Sequence, residues 1–163
     1  MSLFDPDGLI ETVKGAGFSD HHSIHGPRHW ARVERNGLFC ARSCGADAEI
    51  VTLFALFHDC RRLNDGHDPD HGRRGGAFAE ELHGRFFELA PDRLELLVEA
   101  CARHTDGATT DDPTLGACWD GDRLDLIRLG IAAAPHYMST PAGLEIAESG
   151  RRDALDAIAP RVL

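Results

Sequence analysis

The sequence predicts an all-α, single-domain protein of about six to seven helices spanning residues 1–163. Three observations carry this. Apolar residues recur at helical spacing in one segment after another. The segments open on proline or aspartate and close on glycine, the usual punctuation of helix starts and stops. No stretch reads convincingly as a strand, and no repeat, low-complexity tract or linker divides the chain. At 163 residues it can bury a core without disulfides or a structural metal.

The first helix is short and amphipathic, with Leu9, Ile10, Val13 and Leu3 on its apolar side, and stops at Gly15-Ala16-Gly17. Gly26-Pro27 starts a second, proline being harmless at the first helical position, and this helix runs to about Gly45. Asp47 opens the third. Its run Ile50–Phe57 would suit a buried strand equally well by periodicity, but helix-compatible residues flank it from Ala46 to Leu63, so its length favours a central buried helix. Asn64 to Pro69 is a loop by its turn chemistry. A fourth helix runs from about Asp70 to Leu89 with Ala77, Phe78, Leu82, Phe86 and Phe87 inward. A fifth runs from Pro91 to His104, with Leu94, Leu97, Val98 and Cys101 at helical spacing. Leu115 to Gly130 is a sixth, weakened by Gly116 and Gly121, and a last amphipathic helix uses Leu144, Ile146, Ala147, Leu155 and Ile158 after a loop bracketed by Pro135 and Pro141. Trp30, Trp119 and Met138 read as core residues.

Composition narrows the function. A net charge of -10 argues against gripping a nucleic acid backbone; the same acidity attracts divalent cations or simply keeps the protein soluble. No apolar run reaches the roughly 18 residues that span a bilayer, and the acidic residues among Met1–Lys14 do not suit a signal peptide. Five cysteines (Cys40, Cys44, Cys60, Cys101, Cys118) form no paired framework, which favours reduced thiols and a cytoplasmic location. Ten histidines, four of them between His21 and His29, suit ligands gathered from several elements. The chain has no phosphate-cradling glycine loop, no G-x-S-x-G elbow and no Cys–His nucleophile context. His25 and His29 stand four apart, but Gly26-Pro27-Arg28 lacks the glutamate of a zinc-protease HExxH; His25 reads as a supporting or substrate-contacting group at the helix start.

His58-Asp59, at the end of the buried helix, is the strongest local feature. A carboxylate and an imidazole emerging from an apolar helix make sense with a cation between them, because stripping water from a charge is costly. The alternative is a solvent-exposed helix end with Asp59 paired to Arg61 or Arg62.

The order His29, His58-Asp59, Asp122 resembles the H…HD…D signature of HD-domain phosphohydrolases. The strings HGPRHWARV, ALFHDCRR and WDGDRLDL are each similar to the ligand surroundings of small bacterial members, and the resemblance runs from about residue 25 to 125. It implies an HD-type helical bundle in which His29, His58, Asp59 and Asp122 bind one divalent ion: Mn, Fe, Ni, Co or Zn by the mixed N/O donor set, or Mg. It further implies an activated water that attacks phosphorus, a catalytic role for Asp59, Arg62 holding a phosphate oxygen, and a small phosphorylated substrate such as a nucleotide. Segments around His71 and His104 resemble those that add ligands in two-metal members, where Asp59 would bridge the ions. Alternatively both histidines act on phosphate or water, or His71 merely caps a helix while His104 lies at the surface. The GYP tripeptide of the cyclic-dinucleotide subclass is missing.

Several assignments stay open. Arg62 could instead pair with Asp65, and Arg73 and Arg74 could cover an anionic ligand or form a solvated face. Asp120 and Asp125 could orient ligand histidines, although surface pairing with Arg123 or Arg128 is the simpler expectation. Two rival functions stand beside hydrolysis: a non-catalytic metal- or nucleotide-binding regulatory module, and an HD-fold di-iron oxygenase that needs His71 and His104. No membrane or nucleic acid duplex partner is expected; the oligomeric state is not legible.

Overall fold

Asp47 begins the element on which the rest is assembled. Its carboxylate accepts hydrogen bonds from the backbone N–H of Glu49 (3.1 Å) and Ile50 (3.3 Å), capping α3 (Ala48–Phe57), in which every residue from Glu49 to Phe57 is buried. The computed structural model describes residues 4–18 and 22–163; Leu3 and His21 lie outside them. Around α3 stand α1 (Pro6–Lys14), α2 (Pro27–Cys44), α4 (His71–Leu82), α5 (Pro91–Arg103) and α6 (Pro113–Arg123), followed by α7 (Pro141–Ser149) and the single-turn α8 (Asp153–Asp156). Helix α3 touches α1, α2, α4, α5 and α6; α2 lies along α6, and α4 along α5. The fold is all-α, with no strand among the described residues beyond an isolated bridge between His83 and Phe87. No helix there is long and apolar enough to cross a membrane.

Helix boundaries differ from expectation wherever tertiary packing sets them. α3 ends at Phe57 instead of continuing to Leu63, which is 68% exposed. After Phe57 the chain tightens into i→i+3 turns, Cys60 N–H to Phe57 O and Arg62 N–H to Asp59 O. Gly75 of α4 presses there so closely that any Cβ would overlap the Phe57 carbonyl. α4 stops at Leu82, not Leu89, because Gly84 takes φ +78° and turns the chain. Phe86 and Phe87 are buried from that turn, whereas Ala77 faces solvent. The sixth helix gives way to a 3-10 segment at Leu124–Leu129, and a short 3-10 turn, Pro135–Tyr137, lies in the loop before Pro141. Gly150, at φ +67°, splits the last helix in two and leaves Leu144 exposed.

Gly121 has a packing reason to sit in a helix. A Cβ there would stand 2.8 Å from the Gly37 backbone and 3.0 Å from the Val33 carbonyl oxygen. Helices α2 and α6 therefore meet backbone to backbone, fastened by Asn36 Nδ2 donating to Gly121 O at 3.1 Å. Beyond them, buried Glu34 of α2 accepts from the Thr52 hydroxyl and from the backbone N–H groups of Arg161, Val162 and Leu163. All five cysteines are free, and burial pushes the Cys40 thiol up to about 12, far from nucleophilic use. Trp30, Trp119 and Met138 are core residues.

Gly121→Ala forces the α2–α6 crossing apart and is expected to cost about 1–3 kcal/mol, a fall in Tm of roughly 3–10 °C by thermal denaturation. An unchanged Tm would show that the crossing is slack.

Candidate metal centre

The α2–α6 crossing and the early end of α3 place side chains from three distant segments in one spot. His29 is on the first turn of α2, His58 and Asp59 form the turn after α3, and Asp122 is near the end of α6. His29 Nε2 lies 3.1 Å from His58 Nε2, 3.2 Å from Asp122 Oδ1 and 3.4 Å from Asp59 Oδ2. His58 Nε2 is 3.6 Å from each of the same two oxygens. For ligand bonds of about 2.1 Å, adjacent donors should be separated by about 3.0 Å in an octahedron and about 3.4 Å in a tetrahedron. The observed spacings match such edges.

A second group forms on the other oxygen of the same carboxylate. Asp59 Oδ1 is 3.0 Å from His71 Nε2 and 3.5 Å from His104 Nε2, with the two nitrogens 3.0 Å apart. Both histidines are buried, which rules out a surface His104 and a merely capping His71.

Hydrogen bonding decides which ring nitrogen each histidine turns toward the cluster. His58 Nδ1 faces the carbonyls of Phe54 and Ala55, His71 Nδ1 that of Asp68, and His104 Nδ1 that of Cys101; His29 Nδ1 meets the Asp125 carboxylate at 2.7 Å. Each of these contacts needs an N–H on Nδ1, which leaves Nε2 to face the cluster. The four Nε2 atoms stand in pairs at 3.0–3.1 Å, spacings that need a proton or a metal cation between the nitrogens. Asp59 Oδ1 itself is buried without a hydrogen-bond partner. The donors and the orphaned oxygen fit metal ions at both positions.

The remaining candidates fall into place around this core. His25, just before α2, sets Nδ1 3.0 Å from Asp59 Oδ2. Arg62 is buried inside the site and makes no pair with Asp65: its Nε and Nη2 donate to the carbonyls of Asn64 and Gly66, and Nη1 lies against the His71 ring, 3.1 Å from Nε2, and 3.8 Å from Asp59 Oδ1. Asp125, expected at the surface, is fully buried and holds His29 while accepting from Arg32 Nε at 2.7 Å. Asp120 is buried too, but it caps Ser139 and Thr140 and orients no histidine. Arg74 clamps Asp68 and Arg73 is 81% exposed beside Asp70, so neither covers the site. Asp68 went unnoticed in the sequence; its carbonyl aligns His71 while its carboxylate binds Leu63 N–H.

The electrostatics point the same way. Burial alone would raise Asp59, but His58, His104, His25 and His29 hold it well below the usual carboxylate range; His29 and His58 do the same for Asp122. Burial pushes His58 down. With only protein groups around it, His29 is lowered by burial but raised more by Asp122, Asp125 and Asp59, to about 10. The cluster is a buried anionic well that draws in positive charge.

A cavity of about 320 Å³ opens beside the cluster and includes His104 and Asp122 in its wall. A larger cleft of about 400 Å³, between Leu38, Ala41 and Ile158, contains none of these residues. No protein-family model, curated protein or solved structure matches the chain.

Two outcomes are expected. Asp125→Asn should weaken divalent-ion binding about 10- to 100-fold by calorimetry, because it removes the negative charge behind the His29 ring that makes Nε2 a stronger donor to a cation. Since the His29 pKa is raised from 6.5 to about 10, a proton occupies it at neutral pH, and the stability it lends fades as pH rises through about 10. A cation must displace that proton, so ion affinity should rise with pH across this window, with proton release visible as buffer-dependent binding enthalpy. A pH-independent affinity would contradict this account.

Proposed function

We propose that the chain is a metal-dependent phosphohydrolase of the HD-domain type, cleaving a phosphoester bond in a small metabolite. The observation that supports it best is Asp59, whose two oxygens face two separate histidine pairs and whose Oδ1 has no other partner. A carboxylate so placed could serve both ions of a two-ion hydrolytic site. Divalent ions, when bound, supply Lewis acidity to a water and to the phosphoryl oxygens.

The chain's own groups do the rest. His29, His58 and Asp122 form one end of the cradle, with His71 and His104 at the other. Arg62 spends two nitrogens on loop carbonyls and sets Nη1 against the His71 ring, so it fixes the segment next to Asp59 and keeps a positive charge near Oδ1. His25 is the most exposed imidazole of the cluster, at 13% of its side chain against 0% for His29 and His58. Its Nδ1 meets Asp59 Oδ2 at 3.0 Å and so ties that oxygen to the segment before α2. Buried free thiols suit a reducing, cytoplasmic setting.

A di-iron oxygenase is the second reading, favoured by the presence of His71 and His104 in the cluster. Its ion would be iron, and its turnover would consume oxygen.

The test is a set of aryl phosphates assayed with Mn, Ni, Co, Zn, Fe or Mg. Hydrolysis is expected, lost on chelation and restored by the ion, and Asp59→Ala should abolish both bound metal and activity. Full activity in Asp59→Ala would remove the assignment. Oxygen uptake by the iron-loaded protein without hydrolysis would select the second reading, and retained metal without any turnover would mark a binding module.

A further inference from the structure

The cavity beside the cluster has a composition that bears on the substrate. It includes His104 from one His/Asp group and Asp122 from the other, so a molecule within it reaches both. Beyond these, its walls are Leu126, Ala133, Ala134, Tyr137 and Met138, with Arg123 among them. Side-chain hydroxyls come only from Tyr137 and the neighbouring Thr105, too few to satisfy the hydroxyls of a sugar or the edges of a base, and an unmatched polar group loses affinity when desolvated. At about 320 Å³ the space is near the lower end for small-molecule pockets.

Arg123 carries the permanent positive charge of this wall. It is only 7% exposed, its guanidinium lies over the Trp119 ring at 5.7 Å, and Nη1 donates to Tyr137 O at 2.7 Å. Its Nη2 is buried with no acceptor in the protein. A permanent charge set in this weakly solvated wall attracts an anion in the cavity.

We propose that this cavity receives the organic group of the substrate and selects esters of small apolar alcohols, aryl or branched alkyl, over nucleotides and sugar phosphates, with the charge of Arg123 drawing the anion to it. The ester part of this rests on the hydrolase reading; the binding part does not. In the reaction, a water oxygen bonds to phosphorus as the bond from phosphorus to the alcohol oxygen breaks. The alcohol leaves with a proton in the apolar pocket, and inorganic phosphate remains at the cluster.

Phenylphosphonate, whose carbon–phosphorus bond resists hydrolysis, separates binding from turnover. Calorimetry on the ion-loaded protein should show it binding about tenfold tighter than methylphosphonate or ribose 5-phosphate. Ala134→Phe, which fills the cavity, should erase that preference without altering metal content, and Arg123→Gln should weaken both phosphonates about tenfold. Equal affinities, a preference for ribose 5-phosphate, or a phenyl preference that survives Ala134→Phe would overturn the proposal. Should Arg123→Gln not fold, the Ala134→Phe comparison still decides. A protein that shows these preferences but hydrolyses no ester would lose the hydrolase reading alone, and one that hydrolyses esters without them would lose only this pocket.

Discussion

Imidazole nitrogens and carboxylate oxygens crowded together in the interior are the constraint on which this structure turns. Four imidazoles, each fixed through Nδ1, aim their Nε2 atoms at the two oxygens of Asp59. Asp122 adds a second ionised carboxylate. A bundle does not gather such groups for stability, since apolar residues of the same volume would pack at less cost. They are tolerable because positive charge neutralises them, and the surrounding architecture keeps them where a cation can do so. The end of α3 at Phe57 is one instance: carried on to Leu63, the helix would have fixed His58 and Asp59 at helical spacing along one rod. Released into a tight turn, Asp59 reaches two histidine pairs at once.

Much of this was legible in the sequence, and the gaps have physical causes. Gly26-Pro27 and Gly45 marked both ends of α2, and Asp47 marked the start of α3, because these signals are local and act through the backbone itself. The ends of α3 and α4 were not legible. They depend on Gly75 pressing against the Phe57 carbonyl and on Gly84 turning the chain, and neither shows in a hydrophobic period. Gly121 looked like a weakness in α6 and proves to be what lets α2 and α6 touch. His58-Asp59 stood out because charge at the end of an apolar helix is conspicuous. The pairing of His71 with His104, 33 residues apart, required the third dimension. Asp125 was misjudged for a simpler reason: beside Arg123 and Arg128 it resembled a solvated salt bridge, whereas a short 3-10 segment folds it beneath His29.

The two positions around Asp59 are not equivalent, and this shapes what each can do. Around His29 and His58 stand Asp59 Oδ2 and Asp122 Oδ1, while Asp125 makes the His29 ring more electron-rich from behind. Around His71 and His104 there is only Asp59 Oδ1, with backbone carbonyls behind both rings and the Arg62 guanidinium nearby. A cation at the first position would meet more negative charge and be held more firmly. At the second position fewer protein donors are offered, and the Arg62 guanidinium would oppose a bound cation. The wall shared with the apolar cavity includes His104 from this weaker group and Asp122 from the stronger one. On the hydrolase reading, a ligand in the cavity would meet the more strongly anionic group on one side and the less anionic one on the other.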